Sequence, residues 1–136
     1  MQRRTLLLAA AAVVGVTAVA ANEIISSSSQ ACAAAAKMSF SEDIVPILTG
    51  RCVSCHQPGG AGLDKSGLDL TSHAGLMKGT KFGPMVIPGD PDASNLMVLL
   101  DWRASPALRM PHGKKKLSTC DRDAIRTWIR EGAKNN

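Results

Sequence analysis

Residues 50–57 read GRCVSCHQ, with Cys52 and Cys55 three positions apart and His56 directly behind the second. Residues at that spacing on a helical turn share one face, with Cβ atoms about 5 to 6 Å apart. Both sulfurs then project from one side, and the imidazole that follows can swing beneath the plane they define. Only four cysteines and three histidines occur in the 136 residues, so any chemistry built on thiol plus imidazole centres on this stretch.

The flanks read as short helices separated by loops. Upstream, SFSEDIVPIL (residues 39–48) opens with Ser41 and acidic Glu42 and Asp43. It then places Ile44, Ile47 and Leu48 at helical spacing. Pro46 belongs in a first turn, where its missing N–H costs little, so a helix is predicted from about Ser41–Asp43 to Arg51. Downstream, seven glycines between Gly59 and Gly83 predict loop, with a short helix near Ser72–Met77. GDPDASNLMVLLDWR (residues 89–103) predicts a second main helix, with Asp90 as cap, Pro91 in the first position, and Leu96, Leu99 and Leu100 on one face. RASPALRMPHGKKKL (residues 103–117) returns to loop. The last helix has the strongest signals: Ser118 as cap, Asp121 completing a capping box, an apolar stripe of Ile125, Trp128 and Ile129, and Gly132 as the stop. No alternating run is long enough for a sheet. The fold class is therefore all-α, three or so short helices joined by long loops.

Loops this long are uncommon in compact domains unless they serve a site or hold a ligand. The chain is 45% apolar, yet its aromatic residues are only Phe40, Phe82, Trp102 and Trp128. An internal prosthetic group is the natural filler. C-x-x-C-H is the attachment signature of c-type haem, in which two thioether bonds fix the macrocycle edge and the histidine binds iron from one face. The alternatives are a structural zinc or copper site, a thioredoxin-like redox pair and an ordinary disulfide. Zinc wants four ligands, and Cys32 and Cys120 form no second close pair. A thioredoxin-like motif wants a strand beside it.

Iron held by His56 has an opposite face, for which the downstream candidates are Met77, Met85, Met97, Met110, His73 and His112. Met97 stands among leucines inside a predicted helix, a core position. Met110 lies in a loop, ALRMPHG, where Pro111 stiffens the chain and Gly113 lets it turn, so it can approach a flat ring closely. Met110 is the favoured sixth ligand, followed by Met77 or Met85, with His73 and His112 behind them.

Residues 1–20 have the layout of an export signal: Arg3 and Arg4, an apolar run from Leu6 to Ala21, and small residues at Ala18, Val19 and Ala20. Asn22 and Glu23 interrupt before the length a spanning helix wants. Cleavage after Ala20 and a periplasmic location are expected, with retention of residues 6–21 as a membrane tether the alternative. Residues 21–37 read as a flexible Ser/Ala-rich spacer, within which Cys32 is either spare or paired with Cys120. Loss of the leader removes Arg3 and Arg4 and no acid, so the formal excess of positive charge falls from five to three. Without aromatic interleaving or a nucleic-acid motif, that charge implies no nucleic-acid partner. It suits docking to an acidic redox partner near Lys114, Lys115 and Lys116.

From about Met38 to Asn136 the chain resembles class I c-type cytochromes, in particular bacterial monohaem cytochrome c domains. The resemblance lies in SFSEDIVPIL before C-x-x-C-H, then SGLDL, VIPGDPDASNL, MPHG and the final LSTCDRDAIRTWIREGAKNN. It implies a cytochrome c fold closed around one covalently attached haem. It also implies Cys52 and Cys55 as attachment points, His56 as proximal ligand and Met110 as distal ligand. The implied function is one-electron transport rather than catalysis. A cytochrome subunit of a larger periplasmic or membrane oxidoreductase shares every one of these motifs, and a haem sensor or peroxidase with an open sixth site is the remaining alternative.

Overall fold

Ser39, rather than Ser41, starts the first helical segment. In the computed structural model, which describes residues 37–136, the Ser39 hydroxyl accepts from the Glu42 backbone N–H at 3.2 Å, while the Asp43 carboxylate accepts from the Ser39 N–H at 2.7 Å. Each side chain thereby satisfies a backbone donor that the helix end would leave orphaned. The segment begins as a π-helical turn, Phe40–Ile44, and tightens into α1, Val45–Arg51, with Pro46 in its first turn. The expectations for the leader, the spacer and Cys32 lie outside the described residues.

Four further α-helices follow: α2 (Ala61–Ser66), α3 (His73–Lys78), α4 (Asn95–Leu100) and α5 (Thr119–Arg130). One 3-10 turn, Pro106–Leu108, lies between α4 and α5. No strand occurs among the described residues, only an isolated bridge between Thr80 and Gly83, so the architecture is all-α. Two expectations need correction. Helix α2 falls in the glycine-rich stretch read as loop. The second main helix also starts later than Asp90. The Asp90 carboxylate accepts from the N–H groups of Asp92 and Ala93, closing a local turn, and the regular helix begins only after Ser94. Ser94 is fully buried, and its hydroxyl accepts from Ile87 N–H and donates to the Asp90 carbonyl, which fixes that turn against the helix start.

Helix α5 supplies the largest part of the core. Its stripe of Ile125, Trp128 and Ile129 is buried, as are Phe40 and Ile44 of the π-turn, Leu76 of α3 and Met97 and Leu100 of α4. Burying each such side chain contributes about 1.5 to 3 kcal/mol. Phe40 and Trp128 lie 5.4 Å apart between ring centroids, and the His73 ring meets both edge-on at 4.9 and 5.9 Å. The first and last segments are also tied by hydrogen bonds. Ser41 N–H donates to the Asn136 carbonyl, Phe40 N–H to the Asn136 side chain, and Met38 N–H to Glu131. On the other side of α5, Arg122 and Arg126 grip Asp101 at the end of α4 at 2.8 and 2.6 Å. A cleft opens between α2 and the segment after α4.

Among the described residues no helix is long and apolar enough to cross a membrane.

Candidate functional site

Helix α1 ends where the cysteine motif begins, and the chain there coils tightly on itself. Cys52 and Val53 N–H groups both donate to the Leu48 carbonyl, then Cys55 and His56 N–H groups both donate to the Cys52 carbonyl. The turn leaves Cys55 exposed and Cys52 partly covered, both as free thiols. Burial pushes the Cys52 thiol up to about 11, against the opposing pull of Arg51 and Lys114.

His56 is buried, and the chain holds it on three sides. Its Nδ1 lies 3.1 Å from the Leu68 carbonyl. A carbonyl can only accept, so Nδ1 carries the proton and Nε2 keeps its lone pair free. The His56 carbonyl accepts from Leu70 N–H, while Gly62 and Leu63 N–H groups donate to the carbonyl of Cys55. Helix α2 therefore lies directly on the ring. A Cβ at Gly62 would stand 2.9 Å from both Cε1 and Nε2 of His56, closer than real side chains come. This close approach explains the glycine.

Cys52, Cys55 and His56 line a cleft of about 400 Å³, and Met110 lines it too. Leu70, Leu96 and Leu100 form buried parts of its wall. Phe82 and Leu108 also line it, yet they are 80% and 56% exposed. Phe82 is carried outward by the tight Thr80–Gly83 turn, which Lys81 N–H fastens to the Ser66 carbonyl at the end of α2.

Met110 is placed by the segment after α4. Its N–H donates to the Leu99 carbonyl at 3.2 Å, and its own carbonyl accepts from the Trp102 indole N–H at 2.8 Å. Of the other candidates for the sixth position, all but His112 fall elsewhere. Met97 and Met85 are buried in the core, and Met77 packs against it. His73 is held in the aromatic cluster, with Nε2 2.8 Å from the Ala133 carbonyl. His112 lines the cleft but is exposed. The lysines also divide. Lys114 and Lys115 are exposed, whereas Lys116 is half-buried and donates to the Asp101 carbonyl at 2.7 Å.

Residues 52–112 match the family model described as Planctomycete cytochrome C. The match makes this stretch of 61 residues, under half of the chain, similar to a family of cytochromes, so the group to test against the cleft is a covalently bound haem. No curated protein and no solved structure matches the chain.

The residues present fit such a group. The cleft volume falls in the usual range for cofactor sites, and its leucines supply the apolar walls a porphyrin wants. Phe82 and Leu108 present exposed apolar surface at the edge of the cleft. Arg51 lines the same cleft, donates one Nη to the Lys115 carbonyl, and keeps a buried Nε without any partner. An unpaired buried donor is costly, and a carboxylate carried into the cleft would satisfy it. Lys65 and Lys114 also line the cleft, and no Asp or Glu does. Sequence reasoning overlooked Arg51 as a carboxylate partner because nothing in the chain order shows its Nε stranded. Arg103, Arg109 and Trp102 do not line the cleft.

The competing chemistries find less support. Among the described residues no three His, Cys, Asp or Glu side chains gather as a metal-binding group, so a zinc site has no donor set there. No strand adjoins the motif for a thioredoxin-like unit. Cys120 is disulfide-bonded, while Cys52 and Cys55 are not paired with each other.

Proposed function

We propose that the protein is an exported monohaem c-type cytochrome that passes single electrons between redox proteins. Cys52 and Cys55 would hold the haem through thioethers, and His56 and Met110 would bind its iron. The observation that carries this reading is the convergence of all four side chains on one apolar cleft. When bound, the haem supplies an iron centre that cycles between ferric and ferrous.

Everything else is work done by the polypeptide. The Leu68 carbonyl fixes the His56 tautomer, aims Nε2 and strengthens it as a donor. A Met110 thioether on the iron would favour the reduced metal, as would the apolar leucine walls of the cleft. Arg51 and Lys65 offer positive charge to the propionates. The exposed Lys114 and Lys115 add to a positive rim suited to an acidic partner, and the export-type leader supports a periplasmic site of action. Electron transfer to an acidic redox protein should therefore slow steeply as salt rises from 0.01 to about 0.2 M, because surface charges are screened over that range. A salt-independent rate would remove the rim from the account.

The axial assignment has a direct spectroscopic test. The oxidised holoprotein should show a sulfur-to-iron charge-transfer band that Met110→Ala abolishes and His112→Ala leaves in place. A band that survives Met110→Ala would place the ligand elsewhere.

A further inference from the structure

Trp102 stands outside the cleft, next to the segment that carries Met110. Its backbone has φ of 63°, a left-handed conformation that bulky side chains rarely adopt. A residue is kept there only when its surroundings over-determine it. They do so at Trp102. Its N–H donates to the Leu99 carbonyl, and Arg103 N–H after it donates to the Val98 carbonyl. Two cations stand over the indole, Arg109 at 5.4 Å and Lys116 at 5.7 Å, and Lys116 is itself tied to the Asp101 carbonyl. The ring thus held donates its N–H to Met110 at 2.8 Å.

We infer that Trp102 is a positioning residue for the distal ligand, latching the Met110 segment to the end of α4 so that its thioether stays on the cleft. This rests on the reading of Met110 as an axial ligand. The two backbone bonds at Met110, one to Leu99 and one from Trp102, hold it on both sides of its own Cα. An added ligand can take the sixth position only when Met110 leaves, so its apparent affinity is scaled by the fraction of molecules in which the segment has let go. Loosening the latch raises that fraction and leaves intrinsic binding by the added ligand unchanged.

The experiment is a titration of the ferric holoprotein with imidazole, followed by the charge-transfer band, in wild type, Trp102→Phe and Trp128→Phe. Phenylalanine keeps an apolar ring and removes the N–H. Trp102→Phe should bind imidazole about fivefold more tightly, the factor for one lost neutral hydrogen bond. Trp128 provides the control, since its indole N–H makes the same kind of bond, 2.8 Å to the Lys134 carbonyl, away from Met110. Trp128→Phe should lower the melting temperature and leave imidazole affinity at the wild-type value. Lys116→Met removes one cation from the Trp102 ring and should raise the affinity about twofold, which keeps the question answerable if Trp102→Phe does not accumulate. Unchanged affinity in Trp102→Phe, or in Lys116→Met where only that variant can be made, overturns the inference, as does an equal rise in Trp128→Phe. Absence of any Met110-dependent band in wild type overturns the axial reading and this inference together.

Discussion

Gly62 shows how much a single position near the motif carries. The N–H groups of Gly62 and Leu63 hold the Cys55 carbonyl, and the missing Cβ leaves room for the His56 ring. Gly62→Ala should force either α2 or the imidazole to move. The expected cost is about 1 to 3 kcal/mol, the usual range for overpacking. Urea unfolding of the holoprotein measures it, and the haem-loaded yield should fall as well. A variant as stable and as fully loaded as wild type would mean that α2 does not press on His56. That Cys52, Cys55 and His56 belong to one site was open to reading because the three residues sit within five positions, and all three line the cleft. What orients His56 was not, since the Leu68 carbonyl lies twelve residues away and any backbone group can accept a hydrogen bond. Met110 falls between these cases. Its loop setting pointed to it, while its fixation by Trp102 depends on a left-handed backbone that no residue type announces for tryptophan.

At the level of helices, α5 was legible almost to the residue. Its cap, apolar stripe and stop signal agree with one another, and Ser118 accepts from Asp121 N–H at 3.0 Å as the pattern requires. Helix α2 was hidden because Gly60 and Gly62 read as loop formers, although their small size serves the close approach to the motif. Asp90 misled for a related reason, since an aspartate that closes a turn and one that caps a helix carry the same local signal. The tie between α4 and α5 could not be read from the chain at all. Asp101 accepts from Arg126 and Arg122, partners more than twenty residues away. Burial would raise its carboxyl, but the hydrogen bonds from Arg126 and Arg122 outweigh that and hold it below the ordinary 3.8. A carboxyl lowered on folding stabilises the protein above its unfolded value, and that contribution is lost as pH falls through the lower folded value. Asp101→Asn should therefore cost about 2 to 3 kcal/mol near pH 7, and less at an acid pH under the lowered folded value, where the wild-type carboxyl itself becomes protonated. Denaturant unfolding at both pH values checks this; a penalty that does not shrink in acid would show that the ion pairs are not its source.

For the molecule as a whole, the physical point is an imbalance between core and cleft. One side is closed by α5, the π-turn and α4, with His73 packed edge-on against both Phe40 and Trp128. On the other, short elements and long connections surround a cleft walled by buried leucines and edged by the exposed Phe82 and Leu108. The sequence announced this through long loops and few aromatic residues, and it announced the all-α class through the absence of alternating runs. The charge around the cleft was legible only in part, because Lys114 and Lys115 stay exposed while Lys116 turns inward and Arg51 emerges as the stranded donor. The account stands or falls on a prosthetic group bonded through both motif sulfurs. Intact-mass spectrometry of protein produced with a working c-type maturation apparatus measures this directly. The predicted result is the polypeptide mass plus that of one haem, with attachment lost in the Cys52→Ser, Cys55→Ser double variant; the bare polypeptide mass from the wild-type chain would contradict it.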